Sequence, residues 1–120
     1  MTKKLLQKLL KKWVKILKLS PPKWKEITID FGAEEKDTDT PIGYCIWSYE
    51  EQNAQVFITS PAFYEEAYGT PLTIPLVEQI LIHELLHLSL VTGTAENHAM
   101  FEQGLNNISE VLWEAYGEDA

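Results

Sequence analysis

Arginine is absent from this chain of 120 residues, so all ten of its basic side chains are lysines. Without a guanidinium group, the chain has no bidentate clamp for a phosphate or a carboxylate. Cysteine is nearly absent too, since Cys45 is the single one. No intrachain disulfide can form, which excludes a secreted fold held together by disulfides. Because Cys45 lies in an apolar run, we interpret it as a small packing residue and not as a thiol nucleophile.

Long apolar stretches are also missing. None is long enough to span a bilayer. Lysines interrupt every apolar run in the first twenty residues, and no small-residue cleavage site follows, so no secretory signal is apparent. We therefore expect an intracellular, cytoplasmic location. The length and the 45% apolar content predict one globular domain over 1–120, with a basic helix at 1–20 and a core at 21–120. We expect a monomer.

Charge is distributed unevenly along the chain. Seven lysines precede Ser20 with no acidic residue among them, whereas the remainder holds three lysines and all eighteen acids. Such an acidic body argues against nucleic-acid binding by the core. Residues 2–19 place lysines on one helical face and apolar side chains on the other, which predicts an amphipathic helix. This helix could lie on an anionic membrane or contact nucleic acid. We favour the alternative that its apolar face covers a sheet.

The middle of the chain predicts a small sheet. Three apolar runs, at 27–31, 42–47 and 54–59, have the composition of short strands. Short connections between them predict antiparallel pairing, and we expect 54–60 to be an exposed edge that could pair with an extended peptide. An apolar helix and a last helix from about 95 to 116 follow. The predicted fold class is α+β, with an N-terminal helix, a three-stranded antiparallel sheet and two C-terminal helices.

One motif has chemical specificity. His83-Glu84-Leu85-Leu86-His87 is an HExxH pattern within an apolar helical run. Residues four apart differ by about 40° around a helix axis, so His83 and His87 project from one face and could bind one metal ion. Glu84 lies beside them, close enough to deprotonate a metal-bound water without being a ligand. A metal ion would satisfy three polar side chains that are costly to bury. The alternative is a structural helix with hydrogen-bonded histidines.

A catalytic zinc site needs a third protein ligand and keeps one position for water. The candidates after the turn at Gly93 are His98, Glu102 and Glu96. We favour His98, because imidazole suits zinc and the residue precedes a core-facing stripe made of Phe101, Leu105, Ile108 and Leu112. Glu102 is the alternative third ligand, or it is a carboxylate that orients His98. Glu96 fits better as an acidic residue at a helix start.

These motifs resemble those of known metallopeptidases. The HExxH helix, the glycine turn and the segment Asn97-His98-Ala99-Met100-Phe101 look like the minimal zincin core of the SprT-like, WLM and YgjP-like families, over residues 25–113. The resemblance implies three zinc ligands and a catalytic base, namely His83, His87, His98 and Glu84. Minigluzincins, a related compact group, use a glutamate as third ligand, which would select Glu102. Ala99 departs from the glycine that often follows the third histidine in SprT-like proteins.

The resemblance implies a zinc-dependent metallopeptidase that acts on a protein or peptide. Glu84 would activate a zinc-bound water for attack on the peptide bond. Tyr64 and Tyr68 are candidates for oxyanion support, or else packing aromatics. Two other functions stay open. One is a non-catalytic zinc module in which Glu102 joins all three histidines. The other is a YbeY-like zinc ribonuclease, although that family has glycine where Glu84 stands and a shorter gap to its third histidine.

Overall fold

The computed structural model describes residues 1–19, 24–32, 42–48, 50–89 and 98–117, and the side chains of all of these except 89 and 98–101. This part of the chain contains four helices and three strands, in the order α1 (Lys3–Ile16), β1 (Glu26–Phe31), β2 (Gly43–Ser48), β3 (Asn53–Ile58), α2 (Pro61–Tyr68), α3 (Ile74–Ser89) and α4 (His98–Tyr116). The predicted α+β class is confirmed. Ser60 caps the start of α2.

Helix α1 is amphipathic, as the sequence predicts. Its start is capped by Thr2, whose hydroxyl oxygen accepts a hydrogen bond from the Leu5 backbone N–H at 3.2 Å. Leu6, Leu9 and Trp13 are each at most 1% exposed, and the helix packs against β1 and α3. The apolar face of α1 therefore covers the sheet and its neighbouring helix, which is the arrangement we favoured. The helix ends at Ile16, earlier than residue 19.

The sheet is mixed, and the prediction of a purely antiparallel sheet is wrong. The strand order is β1-β3-β2, with β1 parallel to β3 and β2 antiparallel to it. Phe31 and Gly43 both lie beside Ile58, one on each side. Residues 32–42 connect them and need to span only about 10 Å, two strand spacings. This connection is long enough to place β1 on the far side of β3, whereas the tight turn after β2 requires antiparallel pairing. Strand β3 is thus central, and the prediction that it is an exposed edge is also wrong.

The close packing of β2 on α3 positions the HExxH motif. Side chains at alternate positions of β3 are buried on the helix-facing side of the sheet, namely Ala54, Val56 and Ile58. Gly43, at the start of β2, faces the same side, and a Cβ there would lie 2.5 Å from Ile80 Cγ2 and 3.5 Å from Glu84 Cγ. Only glycine fits this approach without displacing α3. The absence of a side chain at residue 43 thus brings β2 against the motif.

Helix α4 packs on α3, but its buried face differs by one residue from the predicted stripe. Leu105 is 1% exposed as expected, whereas Ile108 is 43% exposed and Ser109 is 3% exposed. The Ser109 hydroxyl donates a hydrogen bond to the Leu105 carbonyl at 2.6 Å. Because the helix backbone satisfies this hydroxyl, burial of the serine costs little. The inward face therefore runs through Leu105 and Ser109, and one turn earlier it includes Glu102.

Candidate metal centre

The two histidines of the HExxH motif lie side by side on α3. The side chains of His83 and His87 are each 14% exposed. Their ring centroids are 5.1 Å apart, with an angle of 67° between the planes. Both rings lie at the side of α3 that meets α4. The prediction that one helical face presents both imidazoles is confirmed.

Glu102 of α4 contacts both rings with one carboxylate. Its Oε2 lies 2.7 Å from His83 Nε2, and its Oε1 lies 3.1 Å from His87 Nε2. One ligand atom from each of these three residues can be chosen so that all lie within 4.8 Å of one another, so the group could hold a metal ion. Ligands of a tetrahedral zinc ion lie about 3.4 Å apart, given bonds of about 2.0–2.2 Å. The two separations between Glu102 and the histidines, 2.7 and 3.1 Å, are each shorter than this value by less than about 1 Å.

The structure therefore brings the alternative third ligand, Glu102, to the two histidines. His98, which the sequence favoured, is the first residue of α4. Its side chain lies outside the described residues, so its role as a ligand stays a prediction. Glu96 also lies outside them. The signal for Glu102 in the sequence was its spacing, three residues before Leu105 on the inward face of α4.

Glu84 lies next to the metal-binding group but is not one of its members. It is 7% exposed, and α3 holds it against the start of β2. Burial, and to a smaller extent the negative charge of Glu102, raises the pKa of Glu84 to about 8. In the metal-free protein Glu84 therefore carries a proton at neutral pH. A carboxyl group with a pKa near neutrality can both accept and release a proton, as general acid–base chemistry requires.

Two cavities that share lining residues open at this centre. The first, of about 420 Å³, is lined by Gly43, Tyr44, Cys45, Trp47, His83, Glu84, His87 and Glu102. The second, of about 320 Å³, extends between α3 and α4 and shares Gly43, His83 and Glu84 with the first. Strand β2 therefore forms a wall of the centre, which the sequence did not predict. The glycine within its apolar run was the available signal, because a strand glycine often marks a close approach of other groups.

Cys45, Tyr64 and Tyr68 are the other side chains that the sequence analysis considered for a chemical role, and their surroundings differ. Burial, with a smaller contribution from the charge of Glu84, raises the pKa of Cys45 to about 12. Cys45 is therefore a neutral thiol that packs against the core, in agreement with the sequence interpretation. Tyr64 and Tyr68 stack on each other with centroids 4.7 Å apart. Neither tyrosine is among the described residues that line the two cavities.

Comparisons with known proteins add no assignment. No protein-family model matches the chain, and neither a curated protein nor a solved structure matches it. The resemblance to compact zincins thus rests on the two sequence motifs alone. Among the helices of the described ranges, none has the length and apolar character needed to cross a membrane.

Proposed function

We propose that this chain is a zinc-dependent metallopeptidase of the zincin type. The observation that supports it best is the contact of one Glu102 carboxylate with Nε2 of both motif histidines. His83, His87 and Glu102 would hold the ion, and Glu84 would stay outside the ligand set. A glutamate in the third position is the arrangement that the resemblance implies for minigluzincins. Nitrogen and oxygen ligands of this kind suit zinc.

The chain's own residues would then handle the proton and the substrate. When bound, zinc lowers the pKa of a coordinated water toward about 7 and polarises a carbonyl group. Glu84 accepts a proton from the attacking water and delivers it to the nitrogen of the leaving amine. The pKa of about 8 in the metal-free protein indicates that the protonated form of Glu84 is accessible.

Strand β2 is the surface on which an extended peptide would lie in this proposal. It forms one edge of the sheet, and it lines the cavity that contains His83, Glu84 and His87. An extended peptide can add to a sheet edge through backbone hydrogen bonds. In this proposal the strand that pairs with a peptide is β2, and not β3 as the sequence analysis expected.

The test is to measure zinc content and peptide hydrolysis on the same preparations. Wild-type protein loaded with zinc should hydrolyse an unfolded casein substrate, and a chelator should abolish hydrolysis. Glu84→Gln should keep one equivalent of zinc and the same melting temperature but lose activity by about 10²- to 10⁴-fold, because the general base is gone. Glu114→Gln, a glutamate on the exposed side of α4, is the matched control and should retain activity.

Other outcomes would replace this function. Zinc retained by the wild type without hydrolysis of casein or peptides would indicate the non-catalytic zinc module. Chelator-sensitive cleavage of structured RNA would favour the ribonuclease. Activity of Glu84→Gln within about twofold of wild type would remove Glu84 from the mechanism, since general-base loss is expected to cost at least about a hundredfold.

A further inference from the structure

The second cavity at the metal centre has a polarity that suggests a particular substrate side chain. Its apolar part is formed by Ile42, Leu76 and Ile80, and its polar part by Gln79, Asn106, Ser109 and Glu110. The volume of about 320 Å³ is at the lower end of the range for small-molecule pockets, about 300–1,000 Å³. The cavity therefore suits one long side chain better than a large cofactor.

The position of Glu110 sets the length of that side chain. Glu110 follows Glu102 by eight residues on α4, which corresponds to about 12 Å along the helix axis. The cavity begins at His83 and Glu84, beside the metal-binding group, and extends to Glu110. A substrate residue next to the scissile bond can approach Glu110 only with the end of a long side chain. Its middle part would lie on Leu76 and Ile80.

The charged residues that line the cavity indicate which charge the end of that side chain should carry. Glu110 is the carboxylate at the end of this cavity away from the metal-binding group, and no lysine among the described residues lines the cavity. A separate cavity beside α1 is instead lined by Lys11, Lys15 and Lys25. An acidic end of the substrate side chain would be repelled by Glu110. A cationic one would be attracted.

We propose that the 320 Å³ cavity is a specificity subsite for a lysine or arginine side chain next to the scissile bond. The aliphatic stem packs on Leu76 and Ile80 while the charged end lies near Glu110 at the open end of the cavity. Exposure of Glu110 lets the substrate cation remain partly hydrated. This inference rests on the proposed peptidase function, and it names a substrate class for the same centre.

The first test compares hydrolysis of matched peptides by the zinc-loaded full chain. The peptides are identical except for lysine, leucine or glutamate at a position next to the scissile bond. The lysine peptide should exceed the glutamate peptide in kcat/KM by about tenfold, because one partly exposed attraction replaces a repulsion of similar size. Glu110→Lys should reverse this ratio. Glu114→Lys makes the same charge change on the same helix, away from both cavities, and should leave the ratio as in wild type.

The second test measures binding without turnover. Zinc-loaded Glu84→Gln is titrated with fluorescent versions of the same peptides, and Kd is obtained from anisotropy. The lysine peptide should bind about tenfold more tightly than the glutamate peptide, and adding Glu110→Lys should invert the order. This preference without any hydrolysis by the wild type would refute the peptidase function and support the subsite. Hydrolysis with equal kcat/KM and equal Kd for all three peptides would support the function and refute the subsite.

Discussion

A buried ion pair joins α1 to α3, and its loss should be costly. Glu78 is fully buried at 0% exposure, and its Oε2 accepts hydrogen bonds from Trp13 Nε1 at 2.6 Å and from Lys12 Nζ at 2.9 Å. Removal of one partner from a buried pair costs about 3–5 kcal/mol. Lys12→Met leaves the Trp13 bond in place, and the Lys12 side chain is 26% exposed. We therefore expect the lower end of the range, a loss of about 3 kcal/mol.

A second substitution distinguishes two causes of the loss in stability, namely removal of the cation beside the Glu78 carboxylate and loss of the packing of the Lys12 stem. Glu78→Gln keeps an oxygen that can accept from Trp13 and removes the charge, so it should cost about 2 kcal/mol. In the Glu78→Gln background, Lys12→Met should cost no more than about 1 kcal/mol, because the charge that pairs with Lys12 is then already absent. The double-mutant cycle should thus give a coupling energy of about 2 kcal/mol, within the usual range for residues in contact.

Urea unfolding of the metal-free chain measures the change in the free energy of unfolding for each variant. Lys8→Met, on the exposed side of the same helix, is the control and should change the free energy of unfolding by less than about 0.5 kcal/mol. A cost below about 1 kcal/mol for Lys12→Met in the wild type would refute the argument. Equal costs of Lys12→Met in the two backgrounds would also refute it, because the loss would then come from packing of the lysine stem.

Three further predictions concern single positions. At pH 8, Cys45 should react with iodoacetamide about a thousandfold more slowly in the native protein than in urea, because its pKa is about 12 in the folded chain. Rapid reaction of Cys45 with iodoacetamide in the native protein would contradict this. Gly43→Ala should destabilise the protein by about 1–3 kcal/mol, since its Cβ would lie 2.5 Å from Ile80 Cγ2. Gly104→Ala is the matched control in α4, where a Cβ meets nothing within 4 Å, and thermal unfolding should show stabilisation of about 0.5–1 kcal/mol; destabilisation there would contradict the helix-propensity argument.

Local features of the sequence were sufficient for the helices. The start of α3 illustrates why, because the Thr73 hydroxyl accepts a hydrogen bond from the Leu76 backbone N–H at 3.4 Å, and threonine is a favoured residue at a helix start. Spacing alone also placed His83 and His87 on one face. These relations extend over a single helical turn, so neighbouring residues determine them.

Strand order depends on contacts that are distant in sequence. Each strand was located within one residue, but β1 pairs with β3 although β2 comes between them in the chain. The four residues between Ser48 and Asn53 make a short hairpin connection, which forces adjacent antiparallel pairing, whereas a longer connection permits either neighbour. The choice depends on how the strands pack against α1 and α3, whose residues are distant from them in sequence. No local pattern in 32–42 contains that information.

The choice of third metal ligand also depends on contacts that local sequence does not determine. His98 and Glu102 are four residues apart, so they lie within about 40° of each other around the α4 axis. Which one reaches the histidines depends on where α4 crosses α3, and a shift of one turn exchanges them.

The observed contacts of Glu102 lead us to expect that Glu102→Ala weakens zinc binding by more than about a hundredfold, since even residues that only support a ligand contribute 10- to 100-fold. His98→Ala should change the zinc Kd by less than about threefold. Competition with a chromophoric chelator measures both constants, and the reverse order would assign the ligand role to His98.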